Sequence, residues 1–290
     1  MVKKLLVRVY KAGHNFLTEK GLRPKFLRIL NSKIIPILRS DYVEIDGHKI
    51  FLDHKDSLRL STRGYFEPYI SELMRKEVKK GDIVVDIGAN IGYHTLLMAR
   101  LVGEKGKVYA FEPHPDNFEL LKKNVEINGY KNVVLEQKAV GDKKGKINLY
   151  LDEEGKSVKH SIVRHDYTKN APIKVDLINL DSYFKNNTAV NFIKMDVEGA
   201  EHYAIMGMSN LLGKNKRINM ILEFTPTYLE KLGIRPEEHI KLLRDLGFNL
   251  QNINEKNRVL EVFELEKVPT YLITRIENTI NTNIFCCKNN

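Results

Sequence analysis

The sequence predicts a doubly wound α/β domain on a mostly parallel sheet, preceded by an N-terminal hairpin and a basic helical arm. Three observations carry that expectation. From Asp82 onward, short β-branched runs alternate with helical stretches, the order that right-handed βαβ crossovers require. The first run ends in a glycine-bearing turn, VVDIGANIGYHT at Val84–Thr95, and open parallel sheets bind ligands at such turns. The chain has 290 residues, 42% hydrophobic and 29% charged, which suffices to bury a core of that size.

Residues 1–41 make the arm. Val2, Leu5, Leu6 and Val9, then Phe26, Leu27, Leu30 and Ile34, recur at helical intervals with basic residues between them. The first 40 residues hold ten Lys and Arg against the single acid Glu19, so +9 of the net +10 lies there. Such a helix either packs its apolar stripe on its own domain or rests on an anionic lipid surface with its basic side chains at the headgroups. The body that remains is nearly neutral, which disfavours a nucleic-acid partner.

Residues 42–80 are expected to pack on the core. Val43, Ile45, Ile50 and Leu52 alternate around Asp46-Gly47 as in a hairpin, and Tyr65–Val78 is patterned as a helix. The domain proper, 81–290, begins with the strand Ile83–Ile87, the helix Tyr93–Leu101, the strand Lys107–Phe111, the helix Asp116–Asn128 stopped by Gly129, and the strand Val133–Glu136. In Ala139–Phe184, Lys146–Leu151 and Ile173–Leu180 alternate like strands around the polar stretch Glu153–Asn170, an irregular excursion over one sheet edge. Regularity returns with the strand Asn191–Met195, a helix after Glu201, the strand Ile218–Glu223, the helix Pro236–Leu246, a strand from Phe248 and a last strand, Asn283–Cys287.

Cys286 and Cys287 are the two cysteines. Neighbours form a strained disulfide, and two thiols cannot build a thiolate cage, so a reducing, cytoplasmic setting is expected. No stretch reaches the roughly 18 apolar residues of a membrane span, and Arg8 breaks the N-terminal apolar patch. The arm therefore suits at most peripheral contact with a membrane.

In the first loop, Gly88 and Gly92 permit a tight turn and close ligand approach. Glu112 ends the second strand 24 residues after Gly88, placed to accept both hydroxyls of a ribose. An adenosine-containing cofactor follows. The dinucleotide pattern G-x-G-x-x-G is replaced by Gly88, Asn90 and Gly92, and no G-K-[ST] follows. Asp86 would repel a pyrophosphate and suits a sulfonium and an ammonium group, which favours S-adenosylmethionine.

The second constellation lies in Ile178–Ile205. Asp196 falls where the fourth strand ends, and on an extended backbone Glu198 shares its face. Glu201 opens the next helix and could cap it. Methyl transfer to a hydroxyl needs alignment and removal of the hydroxyl proton; Asp196, with Glu198 beside it, is expected to be that base or to grip the acceptor. The plainer alternative is a strand terminator and a solvated acid.

Together, DIGANIGYHT at Asp86–Thr95, FEPHPDNFELLKKN at Phe111–Asn124, AVGD at Ala139–Asp142 and IKMDVEGAE at Ile193–Glu201 resemble the FkbM-type methyltransferases, with GYFEPY at Gly64–Tyr69 and NIFCCK near the end in support. The resemblance covers about residues 64–287 and leaves the arm outside. It implies a Rossmann-like class I fold, S-adenosylmethionine as cofactor, and O-methylation of sugar or polyketide hydroxyls. It carries cofactor binding onto Gly88, Asn90, Gly92 and Glu112, with Ala139 beside them, and the signature carboxylates onto Asp196 and Glu198.

Other side chains are weaker candidates. Glu67 could close over the cofactor loop or serve at the surface; His94 is more often packed than a base. His160 and Ser161 could line an acceptor pocket, as could Glu223 at the end of the fifth strand. Asp196, Glu198 and Glu223 could share a divalent metal such as magnesium, although no spacing demands one. The expected function is O-methylation of a small-molecule or glycan hydroxyl. The rivals are a nucleic-acid methyltransferase using the arm, which lacks the Asn/Asp-Pro-Pro-aromatic tetrapeptide of amino-methylating enzymes, and a non-enzymatic membrane-surface module.

Overall fold

The computed structural model describes residues 41–151, 160–162, 164, 171–184, 188–265, 273–274 and 279–288. The arm and most of the polar stretch 153–170 lie outside these residues. The hairpin forms as expected from β1 (Tyr42–Ile45) and β2 (His48–Phe51). Asp46 and Gly47 both take positive φ, the two-residue turn whose twist matches the strands. Two short helices follow, α1 (Leu60–Arg63) and α2 (Pro68–Glu77). Helix α2 begins three residues later than the apolar pattern suggests, because Pro68 occupies its first turn.

The chain then runs β3 (Ile83–Ile87), α3 (Tyr93–Val102), β4 (Lys107–Phe111), α4 (Pro115–Ile127), β5 (Val133–Glu136), β6 (Ala139–Val140), β7 (Gly145–Leu149), β8 (Ile173–Ile178) and α5 (Leu180–Tyr183). Next come β9 (Phe192–Met195), α6 (Glu201–Met206), α7 (Ser209–Lys214), β10 (Asn219–Phe224), α8 (Pro226–Lys231), α9 (Pro236–Asp245), β11 (Asn249–Asn254), β12 (Val259–Val262), β13 (Ile273–Thr274), β14 (Thr279–Ile280) and β15 (Thr282–Cys287). The hairpin is tied to α4 by the side chains of Asn124 and Asn128, which bond the backbone of Phe51 and Lys49.

Eight strands form the main sheet in the order β12-β11-β15-β10-β9-β3-β4-β5. From β10 to β5 neighbours are parallel, and β15 inserts antiparallel between β10 and β11. The expected doubly wound, Rossmann-like class is thus observed, with an antiparallel last strand and an additional edge strand, β12. Strands β3 and β9 read IVVDI and FIKM and are buried almost throughout, as parallel strands covered on both faces must be. Alternation sorts their side chains. Val85, Ile87, Ile193 and Met195 meet α5, α6 and α7, while Val84 and Phe192 meet α2 and α3. Asp86 and Lys194 share this second face, and the register sets them directly opposite each other.

The excursion is more regular than its sequence suggests. Strands β6, β8 and β7 form a separate three-stranded sheet whose inner side chains, among them Leu149, Val175 and Leu177, make a small core with Ala139. Among the described residues, no helix is long and apolar enough to cross a membrane.

Candidate active site

The carboxyl ends of β3, β4 and β9 open on a cleft, where open α/β sheets bind their ligands. Its walls include Gly88, Asn90, Glu112, Ala139, His160, Asp196 and Glu198, so most of the residues singled out above converge there.

The loop after β3 owes its course to Gly88, whose φ is 78°. A Cβ there would stand 1.9 Å from the carbonyl oxygen of Asp196. The amides of Gly88 and Ala89 donate to the carbonyl of Phe111, and that of Asp196 to the carbonyl of Ile87. These contacts bring the glycine loop against the end of β9. Gly92 does not line the cleft; a Cβ on it would lie 2.7 Å from Leu121 Cδ1, so its smallness lets α3 start against α4.

Glu112 is 5% exposed. Its Oε2 accepts the amide of Asn90 at 2.8 Å and its Oε1 the amide of His114 at 2.9 Å. Burial pushes its pKa up to about 7 against the pull of these two donors. Each oxygen keeps a lone pair, so two vicinal hydroxyls fit this carboxylate as a ribose would require. His114 stacks on His160 with centroids 4.0 Å apart, and the Ser161 hydroxyl donates to the Glu198 carbonyl, which joins the excursion to the cleft.

Asp86 lies beneath the cleft rather than in its wall. It is fully buried and accepts the Thr95 hydroxyl at 2.5 Å, and burial raises its pKa against the opposing charge of Lys194. The cation met here belongs to the protein. Lys194 is 5% exposed and its Nζ donates to Asp196 Oδ2 at 3.2 Å. Burial alone would lower its pKa, but Asp196, Asp86 and Glu67 outweigh that and hold it above the ordinary lysine value. Sequence reasoning passed over Lys194; the available signal was a lysine inside an apolar strand, two residues before Asp196 and so on its face.

The extended backbone assumed through Glu198 is corrected by the structure. Strand β9 ends at Met195, and Glu198 has φ 53° before Gly199 at 109°. The turn nevertheless brings ligand atoms of Asp196, Glu198 and Glu223 within 4.8 Å of one another. Hard oxygen donors so spaced could hold a divalent cation, although the Lys194 ammonium already supplies positive charge at Asp196. Glu223 stands outside the cleft wall and accepts from Asn281 at 3.1 Å. Glu201 opens α6, and its carboxylate takes the amides of Val197 and Gly199, which fixes the signature turn.

Two groups on the α2 and α3 side complete the setting. His94 lines the cleft, and its Nε2 lies 3.9 Å from Oε2 of Glu67. Glu67 has φ 42° and ψ 67°, a left-handed conformation just before Pro68. The helix it precedes is held by Glu255, whose carboxylate accepts the amides of Tyr69 and Ile70 at 3.1 and 2.9 Å.

Comparison with known proteins finds methyltransferases. A hexuronic acid methyltransferase, AglP of Haloferax volcanii, is 25% identical over 194 residues, covering 66% of this chain and 73% of that one. Methyltransferase 1 of Beauveria bassiana is 28% identical over 146 residues, 44% of this chain and 58% of that protein, so the match spans less than two thirds of its length. A solved S-adenosylmethionine-dependent methyltransferase from Aquifex aeolicus superposes with a TM-score of 0.42 at 17% identity, covering 81% of this chain and 95% of that one. The methyltransferase FkbM domain model matches residues 86–250, more than half of the chain and the whole stretch from the glycine loop to β11, and the chain therefore belongs to the FkbM family of S-adenosylmethionine-dependent methyltransferases.

Proposed function

We propose that this methyltransferase O-methylates a hydroxyl of a sugar, glycolipid or related metabolite. The observation that carries the reading is one cleft whose wall holds Glu112 and the glycine loop together with Asp196, Glu198 and Lys194. When bound, S-adenosylmethionine supplies an electrophilic methyl group on a sulfonium. Glu112 would hold its ribose hydroxyls, with Gly88, Asn90 and Ala139 forming the adjoining wall. Asp196 and Glu198 face the remaining space and would grip the acceptor or take its proton, and the Lys194 ion pair fixes the direction of the Asp196 carboxylate. His160, stacked on His114, would bound the acceptor side, with Glu223 behind the signature turn. A sugar acceptor is favoured by the name of the Haloferax volcanii relative.

The test is transfer from methyl-labelled S-adenosylmethionine into fractionated cell extract, with Asp196→Asn alongside. Label in a glycan or lipid fraction that vanishes in the variant is expected; label in nucleic acid would overturn the reading. The basic arm, +9 over its first 40 residues, would bring the enzyme to anionic lipid surfaces. The full chain should then sediment with phosphatidylserine vesicles and not with phosphatidylcholine ones, and equal sedimentation would refute that role.

A further inference from the structure

We propose that Glu67 and His94 together hold the acceptor hydroxyl and that Glu67 takes its proton. The proposal rests on the O-methyl reading above and names the base for it. Oε2 of Glu67 and Nε2 of His94 are both buried, and neither has a hydrogen-bond partner among the described residues. Their 3.9 Å separation is too long for a direct hydrogen bond, and it is a span that one oxygen atom at about 2.8 Å from each would bridge. Leaving two buried polar atoms unpaired is costly, and a single hydroxyl satisfies both. It donates to Glu67 and accepts from a neutral His94 with its proton on Nε2.

The surroundings suit that division of labour. Burial and the charge of Lys194 hold His94 well below the ordinary histidine value, which keeps it neutral. Glu67 is pushed up to about 8, by burial first and then by the charge of Asp196, which brings it near the pH at which a base works best. The groups facing Glu67 are Lys194 from β9 and Asp196 just after it, Glu223 from β10, Glu255 from the turn after β11, and His94 from α3. Asp196 is already engaged, its Oδ2 accepting from Lys194 Nζ at 3.2 Å, whereas Oε2 of Glu67 is not. The position is also built: Glu67 is held in its left-handed conformation between Phe66, which lines the cleft, and a helix start clamped by Glu255.

In the transfer, the O–CH3 bond forms as the S–CH3 bond breaks. The bonding pair stays on sulfur, and the hydroxyl proton passes to the Glu67 carboxylate. The sulfonium charge and the carboxylate charge disappear together, and the products are a methyl ether and a neutral thioether.

The experiment compares the wild-type full chain with Glu67→Gln and His94→Gln, after calorimetry has established that each binds S-adenosylhomocysteine within threefold of wild type. Infrared difference spectra of wild type minus Glu67→Gln, both saturated with S-adenosylhomocysteine, should show a protonated carboxyl band at pH 6 that titrates away near pH 8. Absence of that band overturns the proposal. With methyl glucoside and methyl glucuronide as acceptor probes, Glu67→Gln should lower kcat at least a hundredfold and abolish the rise of kcat with pH. His94→Gln should raise KM about tenfold. A Glu67→Gln variant that keeps more than half of wild-type kcat also overturns it. The infrared band is read without any acceptor, so failure to label either sugar probe, which counts against the sugar-hydroxyl reading, is distinguishable from failure of the Glu67 assignment.

Discussion

A single methyl group at Gly88 would separate the two halves of the site, since its Cβ would stand 1.9 Å from the Asp196 carbonyl oxygen at a φ of 78°. Gly88→Ala should cost about 3 kcal/mol from overpacking and a left-handed alanine, read as a lower midpoint in urea unfolding, and should weaken S-adenosylhomocysteine binding. Unchanged stability would mean that the end of β9 can retreat. At Glu112 the expected loss is in binding. Removing a buried carboxylate that accepts ligand hydroxyls forfeits about 2–3 kcal/mol, so Glu112→Ala should lose roughly 30- to 150-fold in calorimetric affinity for S-adenosylhomocysteine. Because burial raises its pKa to about 7 and the ionised form is the better acceptor, wild-type affinity should weaken as pH falls from 8 to 6. Glu112→Gln should flatten that slope. Gly88, Asn90, Glu112 and Asp196 were legible because strand ends and turns fix their spacing along the chain. Lys194 was not, because its meaning comes from the register that sets it opposite Asp86, and Glu67 was ambiguous because its partner His94 is 27 positions away in the chain.

Among the elements, α2 bears most directly on the chemistry. Its first amides are capped by Glu255 from the turn after β11, a carboxylate at a helix N-terminus reinforced by the helix dipole. Glu255→Ala should destabilise the fold by about 1–2 kcal/mol. It should also lower kcat, because Glu67 loses its fixed backbone, while affinity for S-adenosylhomocysteine stays near wild type since Glu112 and the glycine loop are untouched. A parallel loss of cofactor affinity would show that the helix supports the whole cleft instead. The parallel half of the sheet was readable element by element, because buried strands and amphipathic helices alternate with turn residues between them. The antiparallel insertion of β15 between β10 and β11 was not, since an apolar run specifies a strand but not its neighbours. The same holds for the three-stranded sheet: alternation over Lys146–Leu151 and Ile173–Leu180 showed the strands, and their pairing spans the polar stretch between them.

At the scale of the molecule, charge is divided between an arm with +9 over 40 residues and a nearly neutral body, and within that body several acids are buried around Lys194. Burial raises Glu67 to about 8, Glu112 to about 7 and Glu201 to about 8. In the unfolded chain these groups are ionised above the ordinary glutamate value of 4.5. Between pH 4.5 and about 8 the folded protein therefore binds more protons than the unfolded one, and stability falls as pH rises. Buried histidines act in the opposite sense. His48 is lowered to about 4 and His239 to about 3, both by burial first, so the unfolded chain takes up protons below about 6.5 and stability is lost as pH falls. Above 6.5 that opposition ends and the acids act alone. The Tm of the ligand-free protein should accordingly fall from pH 6.5 to pH 8.5, and the Glu67→Gln/Glu112→Gln double variant should show a distinctly shallower slope, with Glu201 supplying what remains. A wild-type Tm that is flat or rising over this interval would show that the acids around Lys194 are ionised at neutral pH, with Lys194 and the backbone donors carrying their charge.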